Sequence, residues 1–230
     1  MLRVFVGYDH VEAQAWHTLT HSILMRSSVP VSFSPIKQTL LPEFTRPRDA
    51  KQSNEFSFTR FLTPYLARFH GWAVFMDCDM MLRTDIGELL SLLDDRYAVM
   101  CCPHDYVPKQ RTKYLGNVQH AYPRKNWSSF MAFNCGHEYT RRLTPMYVNQ
   151  ASGLDLHRMI WAEDAVGELP LEWNWLVGEY DYNPDAKVVH WTVGGPWNEA
   201  YKDCDYSDEW RAEMTSMNHA LSDGENHAAA

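Results

Sequence analysis

No run of apolar residues in the 230-residue chain approaches the ~20 needed to span a bilayer. No basic region followed by a long apolar one opens it, so the expectation is a chain without a leader, working in the cytoplasm. The five cysteines are odd in number and form no CxxC pair, which argues against a disulfide framework and a zinc knuckle. Positive charge is in deficit, with 21 Lys and Arg against 29 Asp and Glu. The net charge of −8 makes nucleic acid or an acidic membrane surface a poor main partner. Internal repeats and low-complexity linkers are also missing. What is abundant is aromatic: nine Trp and 12 Tyr, enough for a core and for flat platforms that suit sugar rings and bases.

Local patterns predict alternating strands and helices. Leu2 to Val6 reads as a buried strand, Gly7-Tyr8-Asp9-His10 as a turn, and Val11 to Arg26 as a helix with an apolar stripe. Pro30 to Ile36 alternates as a second strand. Strand, helix, strand at this spacing is a βαβ unit and implies a parallel sheet, whose ligands bind beyond the carboxyl ends of the strands. Glu55 to Phe69 reads as a helix that Pro64 either kinks or starts. Trp72 to Met76 is a third strand and Tyr97 to Cys102 a fourth. A long polar loop, 103–125, follows with Lys109, Arg111, Lys113, Arg124 and Lys125. Trp127 to Phe133 alternates again, and helical segments follow near 138–149 and 155–161. Lys187 to His190 is the last strand and 206–219 a terminal helix. Residues 1–221 are expected to form one domain, and 222–230 a disordered tail.

The stretch Phe75-Met76-Asp77-Cys78-Asp79-Met80-Met81-Leu82 carries the chemistry. In an extended strand Asp77 and Asp79 share a face and Cys78 points the other way, into the protein. Paired carboxylates are either a solvated strand end or the ligands of a hard divalent cation. The third strand's carboxyl end is on the same rim as Asp9, which favours the cation.

Together the GYD turn at 7–9, SFTRF at 57–61, FMDCDMML at 75–82, FNCG at 133–136, ED at 163–164 and HWTVGGPW at 190–197 resemble the GT-A glycosyltransferases, most closely the family 8 type. The resemblance implies a single α/β domain, Rossmann-like, with a mixed, mostly parallel central sheet flanked by helices. It implies Asp77, Asp79 and His190 as ligands of Mn²⁺ or Mg²⁺. Tyr8 and Asp9 would meet the nucleobase and ribose of a nucleotide sugar, expected to be a UDP-sugar. Gly194 and Gly195 would turn near its phosphates. Arg60, Asn134 and Asp164 would lie at the donor sugar and the reacting centre. The implied activity is hexose transfer to a saccharide or lipid-linked acceptor with retention.

Plainer roles remain open at this stage: a strand-end cap for Asn134, a helix N-cap for Asp164, a capping histidine for His190. Trp173 and Trp175 are either core or acceptor platform, with one expected in the core. Many family members carry Lys between the last Gly and Pro-Trp; here Gly195 runs straight into Pro196, and Arg124 and Lys125 are the candidate replacements. A sugar nucleotidyltransferase ranks lower, because the first turn is not a Gly-rich, Arg-containing loop. A non-catalytic nucleotide- or carbohydrate-binding protein is the rival from another class.

Overall fold

The computed structural model describes residues 1–48, 52, 54–109, 112–113, 117–118 and 124–218. The tail from 222 and Arg111 lie outside the described residues. The strands are β1 (Leu2–Gly7), β2 (Val31–Ile36), β3 (Trp72–Met76), β4 (Met80–Leu82), β5 (Val99–Cys101), β6 (Thr112–Lys113), β7 (Asn117–Val118), β8 (Phe130–Asn134), β9 (Val166–Glu168), β10 (Trp175–Leu176) and β11 (Val188–His190). The α-helices are α1 (Ala13–Arg26), α2 (Thr63–Leu66), α3 (Pro145–Gln150), α4 (Gly153–His157) and α5 (Ser207–Met217).

The main sheet has six strands in the order β2-β1-β3-β8-β5-β9. β2, β1 and β3 run parallel, β8 is antiparallel to both β3 and β5, and β9 is parallel to β5. The sheet is therefore mixed and mostly parallel, as expected. Its centre is wholly apolar: Val4, Val6, Phe75, Met76, Phe130 and Phe133 are all buried. Strands covered on both faces read as continuous apolar runs, which is why β3 was legible. A second sheet, β10-β11-β4, has its own smaller core around Met81, Val189, Trp191 and Trp210. Trp173 is buried in the main core, as expected for one of the pair, whereas Trp175 is half-buried. All five cysteines are free thiols.

Several elements differ from expectation. Residues 55–69 do not form one helix. They run as turns, a 3₁₀ segment Thr59–Leu62 and the single turn α2. Pro64 sits in the first turn of α2, where its missing N–H costs nothing, so it starts that helix. Residues 138–149 and 155–161 likewise break into 3₁₀ turns and the short helices α3 and α4. Residues 127–129 form a 3₁₀ turn before β8 rather than part of the strand. β4, β9, β10 and the β6–β7 hairpin were not expected.

Candidate active site

Asp77-Cys78-Asp79 is not in a strand. It is the bend that carries the chain from β3 in the main sheet to β4 in the second. The two aspartates converge because the chain changes sheet between them, not through strand alternation. Register then supplies the third group. β4 pairs antiparallel with β11, placing His190 opposite Met80, and the Trp191 amide donates to the Asp79 carbonyl at 2.9 Å. One donor atom each from Asp77, Asp79 and His190 lies within 4.8 Å of the others.

The protonation of His190 follows from its neighbours. The Asn174 amide nitrogen donates to the Asn126 carbonyl at 3.3 Å and to the Ser129 hydroxyl at 2.9 Å. Ser129 in turn donates to the same carbonyl at 2.6 Å. That fixes the Asn174 oxygen towards His190 Nδ1, 2.9 Å away, so neutral His190 carries its proton on Nδ1. Nε2 then presents a lone pair 3.3 Å from an Asp79 carboxylate oxygen. Two acceptors at that distance need a cation between them or an added proton. Two carboxylates and an imidazole whose far nitrogen is held by an amide form a donor set that fits Mn²⁺ or Mg²⁺.

Arg60 belongs to the same site, but it is buried beneath it. Its guanidinium lies 2.8 Å from Asp77 Oδ1, donates to the Ser128 carbonyl at 2.9 Å, and sits over the Phe56 and Phe75 rings. It holds Asp77 in place, where the sequence suggested a group reaching out to the donor. Asp9 is also committed locally: its carboxylate accepts from the Val11 and Glu55 amides at 3.2 and 3.1 Å. Tyr8 is half-buried on the rim, with the Lys37 ammonium 5.3 Å from its ring centre.

Asn134 and Asp164 are not at this site. β8 runs antiparallel, so Asn134 pairs with Trp72 at the far end of β3 and donates to the Asp95 carbonyl at 3.3 Å. Asp164 is exposed and precedes β9, which is parallel to β5, so it also belongs to the far edge. The rim end of β8 instead presents Ser128 and Ser129; the Asp77 amide donates to the Ser129 carbonyl at 2.9 Å. Ser128 Oγ is 2.7 Å from Nδ1 of the half-buried His157, whose pKa is pushed down to about 3 by desolvation of the ring, then by Arg60 and Arg46.

The turn after His190 explains the missing lysine. A Cβ on Gly195 would stand 2.1 Å from the Trp197 ring, so a side chain there collides with the indole. Gly194 has φ +146° and its amide is already given to the Trp191 carbonyl at 2.9 Å, so that amide is taken. Of the candidate replacements, Arg124 turns to the Arg158 carbonyl at 2.6 Å. Lys125 is buried with its ammonium 5.8 Å from the Tyr106 ring, next to the Asn126 that braces Asn174.

Glu12 went unnoticed in the sequence because it sits in an ordinary helix start. In the fold it lies behind the bend, accepting from Cys78 Sγ at 3.6 Å. Cys78 is fully buried, as expected. Burial first, then Asp79 and Asp9, push the Glu12 carboxyl up to about 8. In the unfolded chain it titrates near the usual ~4.3. Folding therefore takes up a proton between those values. The stability this gives is complete below the unfolded pKa and is lost as pH rises through about 8. Glu12→Gln is thus expected to gain on the wild type as pH rises from 5 to 9 in metal-free buffer. Melting curves across that range check this, and parallel profiles would refute it.

No protein-family model matches the chain. Over 225 residues it is 48% identical to Protein CDI of Arabidopsis thaliana, covering 94% of this chain and 87% of that protein. The chain belongs to the Protein CDI family. Among solved structures, this CDI-family fold is similar to WbbM, a bifunctional glycosyltransferase, with TM-score 0.65 and 17% identity over 93% of this chain and 49% of that one. It is also similar to LgtC (TM-score 0.63, 12% identity, 96% of this chain and 98% of that one) and to GlyE of Streptococcus pneumoniae TIGR4 (0.62, 13%, 93% and 61%). These likenesses identify the fold as the GT-A type. The chain spans about half of WbbM. Among the described residues of this CDI-family protein, no helix is long and apolar enough to cross a membrane.

Proposed function

We propose that this CDI-family protein is a metal-dependent glycosyltransferase that moves a hexose from a nucleotide sugar, a UDP-sugar by expectation, to a saccharide or lipid-linked acceptor with retention. The observation that carries the reading is the Asp77–Asp79–His190 triad on the carboxyl rim, with a bare imidazole nitrogen facing a carboxylate oxygen.

Mn²⁺ or Mg²⁺ bound there would offset the negative charge that gathers on a departing nucleoside diphosphate. The chain's own residues set up that chemistry. Asn174 keeps the His190 proton off Nε2, and Arg60 fixes the Asp77 carboxylate. Tyr8 and Lys37 offer a ring face and a cation on the β1–β2 side of the triad, suited to a base and its phosphates. Lys125, buried beside the Tyr106 ring, is the residue we assign to the place of the missing lysine. A same-face attack by the acceptor hydroxyl requires no protein nucleophile, which agrees with Asp164 and Asn134 lying at the opposite edge.

A panel of UDP-sugars with Mn²⁺ tests the reading. Slow hydrolysis of one sugar, with release of UDP and the anomer of retained configuration, is the expected result. No turnover of any sugar, together with no change in melting temperature on adding UDP and Mn²⁺, would sink it.

A further inference from the structure

His104 stands where β5 ends on the rim, outside every motif read from the sequence. It is 95% buried by its 5% exposure, and its Nε2 has no hydrogen-bond partner among the described residues. A buried ring nitrogen without a partner is costly, and native sites that keep one usually have a use for it. Its other nitrogen is fixed: Nδ1 is 2.9 Å from the Tyr180 hydroxyl. Burial pushes that phenol up to about 12, so it keeps its proton and shares one hydrogen bond with Nδ1. Burial and His190 hold the imidazole neutral, with a pKa of about 3. Its remaining nitrogen, Nε2, can therefore pair with a hydroxyl, which both donates and accepts.

The wall around it is aromatic. Tyr106 and Tyr180 flank the imidazole at 6.4 and 5.8 Å between ring centres, and Trp175 packs on Tyr180 at 5.0 Å. The wall joins the metal triad through Asn126, whose amide donates to the Tyr106 hydroxyl at 2.7 Å and whose carbonyl receives Asn174. It lies on the β5 side of the triad, across from Tyr8 and Lys37 on the β1–β2 side. Ring faces beside a neutral ring nitrogen suit the C–H face and hydroxyls of a pyranose. At the Tyr180 side the Asp105 and Glu179 carboxylates disfavour a phosphate, while the Lys125 ammonium stands at the Tyr106 side, 5.8 Å from that ring.

We propose that His104, Tyr106, Trp175 and Tyr180 form the seat of a neutral saccharide acceptor, with His104 Nε2 hydrogen-bonded to one of its hydroxyls. This rests on the reading of the triad as a donor site and extends it to the acceptor. Tyr180 is a positioning residue here, since its hydroxyl holds the His104 ring through Nδ1.

The test uses the full chain loaded with UDP and Mn²⁺. Methyl α- and β-pyranosides of glucose, galactose and xylose are titrated by saturation-transfer NMR. At least one is expected to bind through its ring protons. His104→Ala should weaken that binding by about tenfold, the size of one hydrogen bond to a buried ring nitrogen, and Tyr180→Phe by a smaller factor with the ring kept. Both variants should keep the melting shift given by UDP and Mn²⁺. A wild type that shows the shift but binds no pyranoside overturns the proposal. So does unchanged pyranoside affinity in His104→Ala, or a loss confined to UDP, which would give His104 to the diphosphate. A wild type without the UDP and Mn²⁺ shift fails the donor reading instead, and pyranoside binding then decides the acceptor seat by itself.

Discussion

Asp79→Ala is expected to abolish the stabilisation that UDP and Mn²⁺ give together. The wild type should gain about 2.7 kcal/mol when ligand is near 100 times its Kd. For a chain of this size that is roughly 5–10 °C in melting temperature. The variant loses one of two carboxylates and the oxygen that faces the bare His190 nitrogen at 3.3 Å. It should show no shift at the same concentrations, and hydrolysis of the preferred UDP-sugar should fall by about 10²–10³-fold, the usual effect of removing one stabilising group from a developing charge. The melting temperature without ligand should stay level or rise, because a carboxylate beside Asp77 and Glu12 is removed. A full shift retained in Asp79→Ala would show that the triad holds no cation.

Arg60→Ala is expected to act on the fold before it acts on chemistry. The guanidinium is 5% exposed and makes an ion pair with Asp77, which is 8% exposed. Removing one partner of a buried pair costs about 3–5 kcal/mol, because the remaining charge is left without its counter-ion. A fall of roughly 10 °C in melting temperature follows for a domain of this length. Mn²⁺ should restore part of the loss, since it supplies positive charge to the same carboxylate. Arg60→Lys should fall between, keeping the charge but losing the Nε that donates to the Phe56 carbonyl while Nη1 reaches Asp77 and the Ser128 carbonyl. Scanning fluorimetry with and without Mn²⁺ reads all of this. An unchanged melting temperature in Arg60→Ala would refute the buried role.

The first half of the sheet was legible because its signals are local. Apolar runs and a βαβ spacing put Asp9 and Asp77 on one rim, and that is where they are. His190 was legible only through family resemblance, since nothing in the spacing of a chain tells that β11 will pair with β4. The direction of β8 was hidden for a physical reason: alternation looks the same whichever way a strand runs. The family resemblance alone had brought Asn134 and Asp164 to the donor sugar, whereas the antiparallel run of β8 and the position of Asp164 before β9 put both at the far edge and leave Ser128 and Ser129 at the rim. Arg60 was placed in the right neighbourhood but given the wrong partner, because burial beneath Asp77 depends on the turns at 55–62 that replace a helix. Gly195 shows the reverse case, in which a missing side chain is explained by a ring two residues on.

The bend at Asp77-Cys78-Asp79 joins two sheets, yet His190, which completes the triad there, is about 110 residues further along the chain. An ion held at this point would therefore act as a cross-link, closing a very long loop in the chain. The entropy of closing a loop grows only with the logarithm of its length, so most of that cost is met once β11 has docked on β4. The ion would then find its ligands already assembled, and its departure would loosen the seam between the sheets rather than the core of either one.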